Sequence, residues 1–452
     1  MKELFEPKSV AVIGASRNKL NVGHGVLYNL IYGGFFKTKF NKPFKGKIFP
    51  VNPKADKILG MDCYASVKDI KVEVDLAVIA VNAEFVPLVI KECVEKKVKA
   101  LIVISAGFGE LGEKGKELQA EIVALVKNAN IPLVGPNCLG IINPHFNLNA
   151  SFAPAMPPSG SIGFISQSGA LADSVIDWAL EKDYGFSKLI SYGNAAVLDL
   201  NDFIAYLDKD KDTKAIAVYV ESIRNGKEFM KIAKSVKKPI VVIKAGKTEQ
   251  GMKAVSSHTG SLAGSYEVYK AAFKQSNVYL VENVEELFEV AEVLALLPKL
   301  KENKIAVITN GGGAGVLTAD YCFENGLMLS KLSSETITEL ESHMHPAWSR
   351  SNPIDLVGDA LPDRYKEAMF RVLKQKDVNG LIVIQTLQTM TDPVENAKAI
   401  ISAKKHFSDK PIIAVYMGGM FTKQGKEYLE EHSIPVFNDP EKAVKAMKAL
   451  VF

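Results

Sequence analysis

Cysteine is scarce: there are 4 in 452 residues, Cys63, Cys93, Cys138 and Cys322, and no two form a CxxC pair. Such spacing supports neither a zinc ribbon nor a disulfide framework, so isolated buried thiols are expected. No apolar run approaches the roughly 20 residues that a membrane-spanning helix needs. The opening segment MKELFEP has no apolar signal core, so a cytoplasmic protein with no membrane partner is expected. An excess of one charge is also missing, with 55 Lys and Arg against 51 Asp and Glu for a net charge of +4. A nucleic-acid partner held by counterion release is therefore disfavoured. The motifs HExxH and GxSxG and the EF-hand loop are absent, which leaves hydrolase and metalloprotease classes without support and predicts no metal site.

What remains is ordinary globular composition, 47% apolar and 23% charged, in a chain long enough for about three domains at roughly 150 residues each. Short, wholly apolar runs alternate with helical stretches, a pattern of parallel strands buried on both faces by crossover helices. The first block has such runs at Val10 to Ile13, Ile48 to Val51, Leu76 to Val81, Leu101 to Ile104 and Pro132 to Val134, and reads as Rossmann-like. After 154–160 (PAMPPSG), expected to be a surface turn or linker, the pattern restarts at Ile162. It restarts again at Ile305, after the charged stretch 299–304. The chain is therefore read as α/β throughout, in three domains: 1–145, 146–298 and 299–452.

In parallel α/β sheets, ligands lie beyond the carboxyl ends of the strands. The first strand runs into Gly14-Ala15-Ser16-Arg17, with Gly23 and Gly25 near the start of a helix, a place where backbone amides can approach a phosphate. The dinucleotide fingerprint GxGxxG is broken, because Ser16 and Lys19 stand where its second and third glycines would fall. The second strand ends in Asn52-Pro53-Lys54, offering a lysine where an NAD enzyme offers a carboxylate. Lys54 favours a ribose phosphate, which both NADP and coenzyme A carry. The strand ends Val81-Asn82-Ala83 and Ser105-Ala106-Gly107-Phe108 are short and suited to an extended pantetheine arm.

One histidine of seven, His258, sits in the small-residue segment Ser256-Ser257-His258-Thr259-Gly260-Ser261, read as a loop. A neutral imidazole nitrogen is a competent nucleophile toward phosphorus when an acceptor fixes the other nitrogen. Glu221, at the end of the strand Ile216 to Val220, is the candidate acceptor. Two further strand ends, Ser166-Gln167-Ser168-Gly169-Ala170 and Thr309-Asn310-Gly311-Gly312-Gly313-Ala314-Gly315, each lead into a helix and point its amino end at whatever lies beyond the strand, as an anion requires. Asp199 is expected either at a pocket or as a helix cap.

Taken in order, Gly14-Ala15-Ser16, Val51 to Lys54, Ile104 to Phe108, Gly135-Pro136-Asn137-Cys138-Leu139-Gly140, Ser166 to Ala170 and Ser256 to Ser261 resemble the α subunit of ADP-forming acetyl-CoA synthetases, archaeal-type members of the succinyl-CoA synthetase-like superfamily. The resemblance spans nearly the whole chain. It implies a Rossmann-like CoA-binding domain followed by two flavodoxin-like domains, and the reaction acyl-CoA + ADP + phosphate ⇌ acid + ATP + CoA through an acyl phosphate and a phosphohistidine. It implies His258 as the phosphorylated residue with Glu221 as its partner. Coenzyme A would be held by Gly14, Ser16, Lys54, Val81, Asn82, Ser105, Gly107 and Phe108. Asn137, Gln167, Ser168, Gly169 and Asn310, Gly311, Gly312, Gly313 would hold substrate or phosphate. No ATP-grasp module follows Phe452, so an ATP-grasp β subunit carrying ADP or ATP with Mg2+, in an α2β2 heterotetramer, is expected, with a small carboxylic acid as substrate. The rival expectations are an NADP-dependent oxidoreductase and a CoA- or nucleotide-sensing regulator.

Overall fold

The computed structural model describes residues 1–182, 184–259 and 264–451, without the side chains of His258 and Thr259. The chain divides into two compact units, Met1–Leu287 and Phe288–Phe452.

The first unit is built on two large sheets, beside a small antiparallel ribbon of Lys57–Ile58 and Met61–Asp62. In one, five parallel strands (Ser9–Ile13, Lys47–Val51, Leu76–Ile79, Ala100–Val103, Leu133–Val134) lie in the order second, first, third, fourth, fifth. The central strands are rich in β-branched residues and buried along their whole length, because helices cover both faces. Helix Val22–Tyr32 begins at Asn21, whose side chain accepts from the Gly23 amide, and stops at Gly33 in the left-handed region. A side chain at Gly23 would fall 2.0 Å from the carbonyl oxygen of Gly14, so the helix starts directly against the turn after the first strand.

The second sheet runs Val278–Val281, Ile240–Lys244, Ala215–Val220, Ser159–Ser166 and Phe186–Ser191 in parallel, then adds the antiparallel hairpin Gly140–Asn143 and Leu148–Ser151. That hairpin carries no apolar-run signal, yet it joins the two sheets. Asn29 Nδ2 donates to the carbonyls of Ser151 and Ala153, Asn149 Nδ2 to that of Gly33, and Asn143 Nδ2 to that of Phe5, all at 2.8–3.0 Å. The three asparagines are buried, and each contributes only where both ends of the bond are placed correctly. The segment expected to be a surface linker is corrected here: Ala155 to Pro158 are buried, since the chain passes through the junction the hairpin makes.

The second unit holds one parallel sheet, ordered Met328–Leu329, Lys304–Thr309, Gly380–Gln385, Ile412–Tyr416, Val436–Phe437, with Ile354–Asp355 also pairing with Lys304–Thr309. Separate apolar clusters fill its two faces. No helix among the described residues is long and apolar enough to cross a membrane.

One buried charge is structural. Lys188, fully buried on strand Phe186–Ser191, reaches Asp210 at 3.2 Å and Asp212 at 3.6 Å. Removing the ammonium would strand carboxylates in a dry environment. Lys188→Met is therefore expected to lose about 3–5 kcal/mol of stability, read from the shift in a urea unfolding midpoint, and the double variant Lys188→Met/Asp210→Leu is expected to recover part of it.

Candidate functional site

The carboxyl ends of the two sheets of the first unit enclose a cavity of about 650 Å³. Its wall is built from the turn Leu20–Val22, the strand ends Ala80–Asn82 and Ile104–Ala106, the turn Asn137–Leu139, Phe152, and the segment Gln167–Ala170 with Asp173. Among the described residues, that wall has no lysine, arginine or histidine. Positive potential must then come from the backbone, and helix Gly169–Lys182 supplies it: its first amides have no intrahelical partner. Ser168 Oγ accepts from the Leu171 amide, and Ser166 Oγ bonds the Ser168 amide and carbonyl, holding the turn into the helix.

Of the residues singled out in the sequence, Val81, Asn82, Ser105, Asn137, Gln167, Ser168 and Gly169 meet on this one wall. Ser105 Oγ donates to the Val81 carbonyl at 2.5 Å, tying two adjacent strand ends together. Gln167 Oε1 accepts from the amides of Glu221 at 2.8 Å and Ser222 at 3.1 Å, which fixes the neighbouring strand end. Its Nε2 has a 3.5 Å contact with Ser222 Oγ. Glu221 is buried and accepts from the Tyr219 hydroxyl at 3.3 Å. Lys244, at the end of the adjacent strand, is also buried. Burial lowers its pKa, the Glu221 charge opposes that shift, and the ammonium sits over the Tyr269 ring at 4.6 Å.

Other expected residues are placed differently. Gly14, Ser16, Lys54, Gly107 and Phe108 are not on the cavity wall. Phe108 is fully buried in the apolar cluster of the first sheet, so its ring offers no platform to a ligand. The amides of Gly107 and Phe108 are already taken, at 2.6 and 3.2 Å, by Glu110 Oε1. Burial raises the Glu110 pKa, but bonds from Asn194, Gly107 and Phe108 outweigh it and hold the carboxyl below its usual range. Gly14 gives its amide to the Val51 carbonyl, and at φ +93 a side chain there would meet the Ala80 carbonyl at 2.3 Å; it closes the turn. Lys54 is exposed.

The loop expected at His258 is corrected: its backbone belongs to helix Glu249–Thr259. Its side chain, like Gly260 and Ser261, lies outside the described residues. Asp199 caps helix Leu200–Lys209 in a capping box with Asp202. In the second unit, the side chain of Asn310 is consumed by Thr386 and Gln388, so it is not free to cradle an anion. The Gly311 amide is bonded to Thr309 Oγ1, and a side chain at Gly312 would meet Asp355 Oδ2 at 2.8 Å. Beside Gly313 the space is open. No group of three or more His, Cys, Asp or Glu arranged to hold a metal occurs among the described residues.

Three contributors are not visible in the sequence. Asn194 links Glu110, Gln119 and Asn137 side chains at 2.5, 3.0 and 3.3 Å, while Arg224 holds the carbonyls of Asn194 and Ala195. Asp173, one turn into helix Gly169–Lys182, lines the cavity with its Oδ1 buried and without a hydrogen-bond partner. Burial pushes its pKa up to about 6.

Comparison with known proteins gives matches to three stretches of the chain. A CoA binding domain model matches residues 8–144, a succinyl-CoA ligase like flavodoxin domain 159–294, and a ligase-CoA domain 305–450. The chain is 42% identical over 454 residues to acetate–CoA ligase (ADP-forming) II subunit alpha of Pyrococcus furiosus, covering 99% of this chain and 96% of that one. It is 44% identical over 455 residues to the acetate–CoA ligase (ADP-forming) of Methanocaldococcus jannaschii, covering 100% of this chain and 63% of that protein. Among solved structures, a Ca. Korarchaeum cryptofilum dinucleotide forming acetyl-coenzyme A synthetase 1 in complex with phosphate and ADP superimposes with a TM-score of 0.92 at 38% identity, covering 99% and 96% of the two chains.

The Asp173 shift has a sign that stability measurements can check. The folded state holds this proton more tightly than an unfolded aspartate, whose pKa is about 3.9. The carboxyl therefore costs stability as pH rises from about 4 to the folded value of about 6. Relative to wild type, Asp173→Asn should be equally stable at the acid end and more stable at pH 7 by about 1–2 kcal/mol after allowance for solvent screening, read from thermal midpoints across pH.

Proposed function

The chain belongs to the family of ADP-forming acetate–CoA ligase alpha subunits, and on that premise we propose that it carries out the acyl-transfer and phosphate-relay half of acyl-CoA + ADP + phosphate ⇌ acid + ATP + CoA. The observation that carries this reading is the 650 Å³ cavity between two sets of strand ends, walled by amides, small polar side chains and one helix N-terminus. An extended pantetheine arm fits a wall of backbone and small side chains. A carboxylate or phosphate fits the helix end, where dipole and unsatisfied amides favour an anion.

In this reading Val81, Asn82 and Ser105 border the thioester end of coenzyme A, and the amides of Gly169 and Ala170 hold phosphate against the acyl carbon. Phosphoryl chemistry depends mainly on position and charge stabilisation, and a rigid wall supplies both. Gln167, bonded to the amides of Glu221 and Ser222, links the anion site to the carboxylate proposed to hold one nitrogen of His258. His258 then takes the phosphoryl group from the acyl phosphate. Glu221 is suited to stabilising the cationic phosphoimidazole because it is buried, where charge pairs are weakly screened.

A subunit named alpha implies a beta partner. We assign the nucleotide with its Mg2+ to an ATP-grasp beta subunit in an α2β2 assembly, and a small monocarboxylic acid to the acyl site. The whole reaction is then divided between two chains, as the longer Methanocaldococcus relative, of which this chain covers 63%, is consistent with.

With the partner present, acetyl-CoA, phosphate and ADP should yield ATP in a luciferase assay. His258→Ala should abolish that yield by at least about 10³-fold, and Glu221→Gln should lower it by about 10- to 100-fold. Neutral-pH mass spectrometry should find one phosphate on wild type and none on His258→Ala. Retention of ATP synthesis by His258→Ala, or equilibrium dialysis showing NADPH bound in preference to coenzyme A, would overturn the assignment.

A further inference from the structure

The reaction proposed for this cavity has a proton to move. In the acyl transfer, a phosphate oxygen forms a bond to the thioester carbon, the carbon–sulfur bond breaks, and sulfur departs with the electron pair: RC(O)SCoA + hydrogen phosphate dianion → acyl phosphate dianion + CoASH. Charge and atoms balance only if the proton of the phosphate ends on the coenzyme A sulfur. Solvent can carry it in an open site. In a cavity formed between two sheets, a wall group positioned between the two ligands carries it faster.

We propose that Asp173 is that group, its carboxylate accepting the phosphate O–H proton as the new C–O bond forms and delivering it to the departing thiolate. This rests on the acyl phosphate reading above. Three observations lead to it. Asp173 is the one acidic side chain among the described residues lining the cavity. Its Oδ1 is buried with no hydrogen-bond partner, a state that costs free energy unless a ligand supplies a donor. Its position is four residues after Gly169 on the helix Gly169–Lys182, so both lie on one face, and helical side chains lean toward the N-terminal turn. The carboxyl is thereby directed toward the end of the helix at which phosphate would bind. A carboxylate beside an anion site is repulsive unless the anion brings a proton to share, and hydrogen phosphate does.

The surroundings leave Asp173 free to exchange that proton. Of the two strands packed against its helix, Ser159–Ser166 has no titratable residue, and Phe186–Ser191 has Lys188, which Asp210 and Asp212 engage. Asp177 is one turn further along the same helix. On the cavity wall the Cys138 thiol is pushed up to about 12 by burial and stays protonated. Next to the wall at Asn21–Val22, His24 has its Nδ1 bonded to the Ser16 carbonyl. Burial is what raises the proton affinity of Asp173, to about 6, between that of an ordinary aspartate and that of a thiol near 8.5. An intermediate value suits a group that must both take and give a proton.

The test isolates the acyl step. With the partner subunit present and nucleotide omitted, arsenate replaces phosphate, the acyl arsenate hydrolyses, and free thiol released from acetyl-CoA is followed with a chromogenic disulfide. Wild type should release thiol with a rate that falls on the acid side of about pH 6. Asp173→Asn, a near-isostere that keeps the fold, should be slower by about 10²-fold and lose that acid limb. Asp173→Glu should restore part of the rate, and the affinity for coenzyme A by calorimetry should change less than about threefold in both. If Asp173→Asn releases thiol at the wild-type rate, or slows while keeping the wild-type pH profile, the relay is wrong and the acyl phosphate reading stands. A rate loss matched by an equal loss of coenzyme A affinity overturns it in favour of a structural role. If wild type releases no thiol with arsenate, the acyl phosphate reading itself fails, and the relay with it.

Discussion

The cavity between the two large sheets has no cationic side chain on its described wall, so positive potential there comes from backbone amides, and their placement organises the first unit. The amides at the start of helix Gly169–Lys182 are effective only if they are held still and kept from solvent. The residues around them serve that end: Ser166 and Ser168 lock the turn through their hydroxyls, and Gln167 anchors itself on the amides of the neighbouring strand end. A lysine in the same place would bind phosphate more strongly in the ground state, which adds nothing to the rate of its onward transfer. In the proposed acyl transfer, oriented dipoles favour whichever oxygen carries charge as phosphate becomes an acyl phosphate.

Dipoles act at short range, so the two sheets must keep their separation to within a fraction of an ångström. The buried asparagines Asn29, Asn143 and Asn149 bring this about by bonding carbonyls in strands, helix ends and loops that flank the other sheet. Apolar packing would hold the sheets together equally well but would tolerate sliding. Asn194 and Arg224 repeat the device at the rim, joining Glu110 and Gln119 of the first sheet's last crossover to the turn after strand Phe186–Ser191. The cavity is thus a product of polar bonds across an otherwise apolar junction.

The fold's parallel strands are legible in the sequence because burial on both faces leaves unbroken apolar runs, such as Val10 to Ile13 and Leu381 to Ile384, bounded by turn residues. The hairpin Gly140–Asn143 with Leu148–Ser151 is illegible for the opposite reason, since Asn143, Asn149 and Ser151 are polar and yet buried. Prolines at 154, 157 and 158 signal a surface turn, but tertiary contacts bury most of that segment. At the site, strand-end positions can be read from topology, and Val81, Asn82, Ser105, Asn137 and Gln167–Gly169 do face one cavity. The direction of a side chain after a strand cannot be read: Phe108 turns inward, and Asn310 spends its amide on Thr386 and Gln388. Asp173 is hidden inside a helical pattern, where an aspartate in the first turns looks like a dipole partner.

The two strand–turn–helix segments that look alike in sequence are not alike in chemistry. Ser166 to Ala170 presents a helix end to a cavity, with its nearby carboxyl, Asp173, unpaired at Oδ1. Thr309 to Gly313 presents a helix end with Asp355 close to Gly312, and Asp355 Oδ1 already accepts from the Val357 amide at 2.9 Å. A carboxylate that close to a helix N-terminus satisfies by itself the potential that an anion would otherwise use. The glycines of the second segment instead allow close packing, as where Gly311 meets Thr386 and Gly315 meets Thr309 and Pro353. The same small-residue pattern thus faces a cavity in one unit and serves packing in the other, and what separates the two is where the nearest carboxylate finds its hydrogen bonds.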